Sequence, residues 1–249
     1  MDSDAVDSET VIEDLQRGGL RFIQWRGAFR FGMDSVLLAD FIKCKKGGAI
    51  LDLCTGTGII PVLLTARTEA ARVTGLEIQP ESAEIARENA ALNGLQAVIG
   101  IITGDLRRIA QHCPAAAFDA VSANPPYIKY RGGLVNPDAA VALARHEIAC
   151  GLEDVAAAAA YALKPRGHFY MVHKPHRLAE IICALRRVKL EPKALRFAHP
   201  RVADRPSLVL VEAVKNGGAG VTVMPPLIIY DENGAYTPEV SRIYGAQPD

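Results

Sequence analysis

From Ala49 to Val214 the chain repeats one unit, a short β-branched apolar run followed by a stretch of helical spacing. The runs are AILDL (49–53), RVTGLEI (72–78), AVIGIIT (97–103), FDAVSA (118–123) and GHFYMVH (167–173). Between and after them come GIIPVLLTART (58–68), PESAEIARENAALNG (80–94), an Ala-rich stretch over roughly His146–Leu163 and HRLAEIICALRRV (176–188). The second of these has the clearest helix punctuation, with Pro at its first turn, Glu early and Asn-Gly as its stop. Strands that are apolar on both faces need cover on both faces, and helices between them supply it in a parallel sheet. The last two runs, LEPKALRFAH (190–199) and SLVLVEAV (207–214), have no helix between them and predict an antiparallel hairpin at one edge. The expected fold is therefore α/β: a doubly wound, mostly parallel, seven-stranded sheet with an antiparallel C-terminal hairpin and a short N-terminal hairpin.

The ends follow different rules. MDSDAVDSETVIED (1–14) is acidic and polar, which predicts a disordered tail. No repeat or linker interrupts 15–249, so a single domain is expected there. LRFIQW and AFRF flank Arg26-Gly27 as a hairpin would, and GMDSVLLADFIK predicts a helix capped by Asp34 or Ser35, together spanning 19–43. After a core over 49–215, MPPLIIYDENGAYTPEV places Glu-Asn-Gly between apolar stretches and predicts a further hairpin over 221–240.

Composition narrows the partners. At 49% hydrophobic residues the chain has ample material for a core, and its formal net charge of zero creates no whole-protein field toward nucleic acid or membrane. A nucleic-acid contact would need a local basic patch. No apolar run approaches membrane-spanning length. The five cysteines (44, 54, 113, 150, 183) are scattered without metal-ligand spacing, which predicts reduced thiols in a cytoplasmic protein and no bound metal. Cys54 is expected to serve as small apolar filler.

The chemistry concentrates at strand ends. After the first strand, LDLCTGTGII (51–60) places Asp52 before Thr55, Gly56, Thr57 and Gly58. Glycines in such a turn allow positive φ and close approach of backbone to a ligand. Glu77 ends the second strand about twenty residues past the loop, where a carboxylate can accept both hydroxyls of a ribose. A dinucleotide would want a third glycine where this chain has Pro61, and an acid before the glycines suits a cationic ligand better than a pyrophosphate. S-adenosylmethionine, with its amino group and sulfonium, is favoured over NAD. Asp105, after the third strand, can accept from an adenine amine, cap the helix Leu106–Gln111, or do both.

SANPPYIKY (122–130) closes the fourth strand. Its two prolines fix φ and remove two N–H donors, ending the strand abruptly. Asn124 offers a side-chain carbonyl oxygen and Pro125 a backbone carbonyl, two acceptors that can hold a planar –NH2 group and aim its lone pair. Pro126 stiffens the turn, and Tyr127 can stack on the ring bearing the amine.

Together these motifs resemble Rossmann-fold amino-methyltransferases acting on adenine N6, guanine N2 or glutamine N5. RFIQWRGAFRFGMDSVLLADF, HPRVADRPSLVLVEAVKNG and PPLIIYDENGAYTPEV are similar to one branch, the bacterial tRNA1(Val) adenine N6-methyltransferases. The resemblance covers the chain from about Leu15. It implies the class I S-adenosylmethionine-dependent fold and methylation of adenine-37 beside the tRNA anticodon. It also implies that Asp52, Thr55, Gly56, Gly58, Glu77, Ile78, Asp105 and Leu106 hold the cofactor. Phe31, Gly32 and Asp34 would close over its methionine end, and Asn124, Pro125, Pro126 and Tyr127 would form the catalytic loop. Lys129, Arg131, Arg145 and Arg201 are the candidates for tRNA contacts, the first two because they directly follow NPPY. No histidine is required as a base, because the methylated ammonium is acidic enough to release its proton to water.

Four rival functions use parts of the same pattern. A release-factor-type glutamine methyltransferase shares NPPY but carries a helical domain before the cofactor loop, and only 48 residues precede Ala49 here. An rRNA guanine N2-methyltransferase would also use NPPY, since guanine N2 is likewise a planar amine. An NAD-dependent oxidoreductase has no use for NPPY, and the intact motif set argues against a catalytically silent RNA-binding module.

Overall fold

The computed structural model describes residues 10–25, 32–127 and 150–245. Eleven strands and six α-helices follow in chain order among these residues. β1 (Thr10–Asp14) and β2 (Arg21–Trp25) precede α1 (Met33–Phe41). The repeating core is β3 (Ala49–Leu53), α2 (Ile59–Thr65), β4 (Arg72–Glu77), α3 (Pro80–Leu92), β5 (Ile99–Thr103), a 3-10 turn (Leu106–Gln111) and β6 (Phe118–Ala123). It continues with α4 (Leu152–Ala162), β7 (Leu163–His173), α5 (Leu178–Arg187), β8 (Leu190–His199) and β9 (Leu208–Lys215). Two short strands, β10 (Thr222–Val223) and β11 (Leu227–Ile228), and α6 (Pro238–Tyr244) complete it.

The main sheet runs β10-β8-β9-β7-β6-β3-β4-β5, with β11 also on β8. From β5 to β7 neighbouring strands are parallel, and β9 lies antiparallel between β7 and β8, as the missing helix predicted. The seven expected strands are present, and two short parallel additions to β8 make the sheet nine-stranded. Alternation along β3 shows why both faces are apolar: Ile50 packs with α1 and α2, whereas Leu51 and Leu53 pack with α4 and α5. The chain builds outward from β3 through β4 to β5, then returns to place β6 on the other side of β3. That reversal opens a crevice at the carboxyl ends of β3 and β6, where doubly wound sheets bind ligands.

Two expectations about the ends need correction. The tail expected over 1–14 is ordered at its end, because Thr10–Asp14 forms an antiparallel pair with β2, from Thr10 opposite Trp25 to Asp14 opposite Arg21. Its partner was assigned instead to a hairpin about Arg26-Gly27, which lies outside the described residues. The opposite edge of β2 is held by two asparagines, Asn89 of α3 and Asn93 at its C-cap, acting as a surrogate strand. The Asn89 amide accepts from Ile23 N–H (2.6 Å) and donates to Ile23 carbonyl (2.9 Å), and Asn93 does the same for Arg21 (2.8 and 2.7 Å). Acidic composition at 1–14 carried no sign of this partner. The C-terminal hairpin over 221–240 is likewise not formed as two paired strands. β10 and β11 each add to the open edge of β8, separated by Pro225 and Pro226. The Glu-Asn-Gly turn does form, closed by an antiparallel bridge between Tyr230 and Tyr236.

Candidate active site

The glycine turn is fastened from below. Asp52, fully buried, accepts the Thr55 hydroxyl at 2.7 Å and the Ser122 hydroxyl at 2.6 Å. It thus ties the turn after β3 to the strand that ends in NPPY. Burial pushes its carboxyl up to about 7, against the pull of the two hydroxyls. Asp52 therefore braces the turn from inside, whereas the sequence had placed it against the cofactor. Gly56 and Gly58 have φ of +57° and +86°. A Cβ on Gly58 would meet Ala86 of α3 at 3.0 Å, so that glycine serves packing. A Cβ on Gly56 would meet nothing within 4 Å, so open space lies over the turn.

Glu77 closes one side of that space. Its Oε2 accepts the Gly56 N–H at 2.9 Å and its Oε1 the Gln79 N–H at 3.0 Å, leaving further lone pairs on both oxygens for a diol. Ile78 beside it is 38% exposed, an apolar surface suited to the face of a purine. The Gly104 N–H donates to the Glu77 carbonyl at 2.8 Å, which brings the Asp105 turn alongside. Asp105 caps its turn through Arg107 N–H at 2.9 Å, and the Arg107 guanidinium takes both of its oxygens. That hydrogen bond is the main reason its carboxyl sits below its ordinary range. Leu106 is buried in the core under α4.

NPPY meets α1 across the crevice. The Tyr127 hydroxyl oxygen lies 2.6 Å from Asp34 Oδ2 and 2.6 Å from Asn124 Oδ1. The other end of the Asn124 amide lies 3.0 Å from Ser35 Oγ. Contrary to expectation, neither Asp34 nor Ser35 caps α1; Gly32 occupies the N-cap without a side-chain bond, and Asp34 Oδ1 instead accepts the Ser35 N–H at 2.8 Å. A side chain at position 32 would collide with that folded-back carboxylate, its Cβ falling 2.6 Å from Asp34 Oδ1. The Tyr127 ring packs edge-on to His173 with centroids 5.0 Å apart, and Lys174 Nζ lies 5.0 Å from its centroid. His173 is fully buried and accepts the Lys174 N–H at Nδ1, and burial lowers its imidazole to about 4.

The structure thus gathers Gly32, Asp34, Asn124, Pro125, Pro126 and Tyr127 on one side, and Thr55, Gly56, Gly58, Glu77, Ile78 and Asp105 on the other. Phe31, Lys129, Arg131 and Arg145 lie outside the described residues. Arg201 is exposed in the loop between β8 and β9. Sequence reasoning missed Ser35 and Ser122 as partners of the site. Their positions beside the motifs were the available signal, but a hydroxyl next to a motif does not say which way it points. Cys54 is more than filler, because its sulfur lies 3.8 Å from that of Cys150, just before α4.

Comparison with known proteins agrees with this architecture. The sequence profile described as methyltransferase small domain matches residues 26–189. A protein of Porphyromonas gingivalis named tRNA1(Val) (adenine(37)-N6)-methyltransferase is 32% identical over 225 residues, covering 87% of each chain. The crystal structure of a predicted O-methyltransferase, protein Atu636 from Agrobacterium tumefaciens, superimposes with TM-score 0.70 at 28% identity, covering 85% of this chain and 95% of that one. A geranyl diphosphate methyltransferase solved in complex with SAM shares the fold, with TM-score 0.54 at 14% identity over 73% of this chain and 84% of its own.

Proposed function

This chain belongs to the methyltransferase small domain family, and on that premise we propose that it methylates N6 of an adenine in tRNA, adenine-37 beside the anticodon of tRNA1(Val). The observation that carries the proposal is the meeting of Asn124 and Tyr127 with α1 in the crevice beside the Gly56–Glu77 cradle.

S-adenosylmethionine supplies an electrophilic methyl group on a sulfonium. Glu77 would accept the ribose hydroxyls, Ile78 would lie against the adenine face, and the open space over Gly56 would admit the cofactor close to the turn. Asp105 is engaged by Arg107, so it shapes this end of the site more than it binds there. On the acceptor side, the Asn124 and Pro125 carbonyls take the two N–H bonds of the target amine, turning its lone pair toward the methyl group. Tyr127 contributes its ring to the base. His173, held neutral by burial, takes no proton; the methylated ammonium gives its proton to water. Lys129, Arg131, Arg145 and Arg201 contact tRNA phosphates. Among the described residues no helix is long and apolar enough to cross a membrane, and the protein works in the cytoplasm, where its tRNA substrate is.

Incubation with methyl-labelled S-adenosylmethionine and either tRNA1(Val) transcript or a release factor, followed by nucleoside and amino-acid analysis, tests this. N6-methyladenosine at position 37 is expected. Label in glutamine with none in tRNA would refute the assignment.

A further inference from the structure

One hydroxyl proton on Tyr127 faces two acceptors. Asp34 Oδ2 and Asn124 Oδ1 both lie 2.6 Å from the Tyr127 oxygen, and a single O–H can donate to only one of them. Burial, and then the Asp34 carboxylate, raise the Tyr127 hydroxyl far above its ordinary range, so it keeps that proton. Asp34 is 8% exposed and stands in the first turn of α1. Its Oδ1 already accepts the Ser35 N–H. Donation from Tyr127 to Asp34 then leaves the Tyr127 oxygen able only to accept.

The amide of Asn124 has two nearly isosteric ends, so the same side-chain position serves either orientation. With Tyr127 accepting, the amide must present its –NH2 to Tyr127 and its carbonyl oxygen to Ser35, whose hydroxyl donates across the 3.0 Å gap. Every polar atom in the chain Asp34, Tyr127, Asn124, Ser35 then has a partner of the right kind. With the opposite amide orientation, two acceptors face each other at 2.6 Å.

We propose that Asp34 and Ser35 are positioning residues for the methyl-accepting loop. Asp34 sets the direction of the hydrogen-bond chain through the Tyr127 hydroxyl, and Ser35 holds the carbonyl end of Asn124. This assigns Asp34 a task beyond closing over the methionine end of the cofactor. It also gives the Tyr127 hydroxyl a function separate from its ring. The proposal rests on the methyl-transfer reading above only for its kinetic consequence; the orientation of the amide does not depend on the substrate.

Two readouts therefore test it together. The first needs no substrate: the side-chain amide resonance of Asn124, identified by its disappearance in Asn124→Asp, is followed by 1H–15N NMR in folded Asp34→Asn, Ser35→Ala and Ser35→Thr proteins. It is expected to move in the first two and to stay near its wild-type position in Ser35→Thr, which keeps the hydroxyl. An unmoved resonance in both Asp34→Asn and Ser35→Ala overturns the proposal, whatever the enzyme methylates. The second readout is methyl transfer to tRNA. Asp34→Asn and Ser35→Ala should each lower kcat at saturating S-adenosylmethionine by about tenfold or more, Ser35→Ala should change S-adenosylmethionine affinity less than about threefold, and Ser35→Thr should restore most of kcat. In a Tyr127→Phe background, Asp34→Asn should add little, because the chain is already cut. Loss of cofactor affinity with normal kcat at saturation would leave Asp34 a cofactor residue alone and overturn its positioning role. Wild-type protein inactive on tRNA, with the NMR shifts as expected, would refute the tRNA assignment and support the positioning.

Discussion

Asp52 and Ser122, both without solvent exposure, are joined by a 2.6 Å hydrogen bond that ties the carboxyl end of β3 to that of β6. The cofactor turn and the acceptor loop are thereby carried by one buried carboxyl group. Burial raises its folded-state pKa from 3.8 to about 7. Between those values the folded protein holds a proton that the unfolded chain releases. The contribution of this group to stability is therefore complete below pH 4 and is lost as pH rises through 7, by at most about 1.4 kcal/mol per pH unit. Asp52→Asn removes the titration. The Tm of wild type relative to this variant should fall steadily from pH 4 to pH 7, and parallel profiles would show that Asp52 does not titrate in this window.

Glu77 and Asp105 should separate in cofactor affinity. Glu77 accepts only backbone N–H groups and keeps lone pairs free, whereas both oxygens of Asp105 are taken by Arg107. Glu77→Ala should weaken S-adenosylmethionine binding by roughly 1–3 kcal/mol, the usual scale for charge-assisted hydrogen bonds. Asp105→Ala should cost under about 1 kcal/mol. Calorimetric titration decides, and an equal or larger loss at Asp105 would reverse the assignment.

Asn89 links three pieces that are far apart in sequence. Fully buried on α3, it bonds both backbone groups of Ile23 and donates to the Thr57 carbonyl at 3.0 Å. Asn89→Ala strands two of those backbone carbonyls and one N–H, which should cost roughly 2–4 kcal/mol in denaturant unfolding. Asn93→Ala, at the exposed end of the same edge, should cost nearer 1 kcal/mol. Hydrogen exchange should show Ile23 losing protection first in Asn89→Ala. Unchanged protection there would mean that the β1–β2 hairpin holds without its asparagine edge.

Cys54 and Cys150, with sulfurs 3.8 Å apart, titrate unequally. The bond between the two sulfurs raises the Cys54 thiol, with burial adding to the effect, and lowers that of Cys150. Since the thiolate is the nucleophile, iodoacetamide at neutral pH should label Cys150 well ahead of Cys54, and the rate at Cys150 should rise at lower pH than for an ordinary thiol. Peptide mapping at short times resolves the two. Earlier labelling of Cys54 would reverse the assignment of the more acidic thiol.

Much of the site was legible because its signals are local. Asp52, Gly56, Gly58, Glu77 and NPPY declare themselves by the steric demands of a strand that must end in a turn, and the strand order followed from apolar runs and the helices between them. The same locality explains the misses. Asp52 was set against the cofactor because its place in the motif is visible and the inward direction of its side chain is not. The 1–14 segment looked like a tail because its strand partner is fastened by asparagines more than sixty positions away.

The chain's own residues thus determined the α/β order, the crevice at the strand ends and the residue types that chemistry there requires, since periodicity, proline and glycine act within a few positions. Only the tertiary structure decided which hydroxyl each buried acid holds and that the Tyr127 oxygen answers to Asp34 as well as to Asn124. Those contacts join positions 70 and 93 apart, and their direction depends on where a single proton can go once water is excluded.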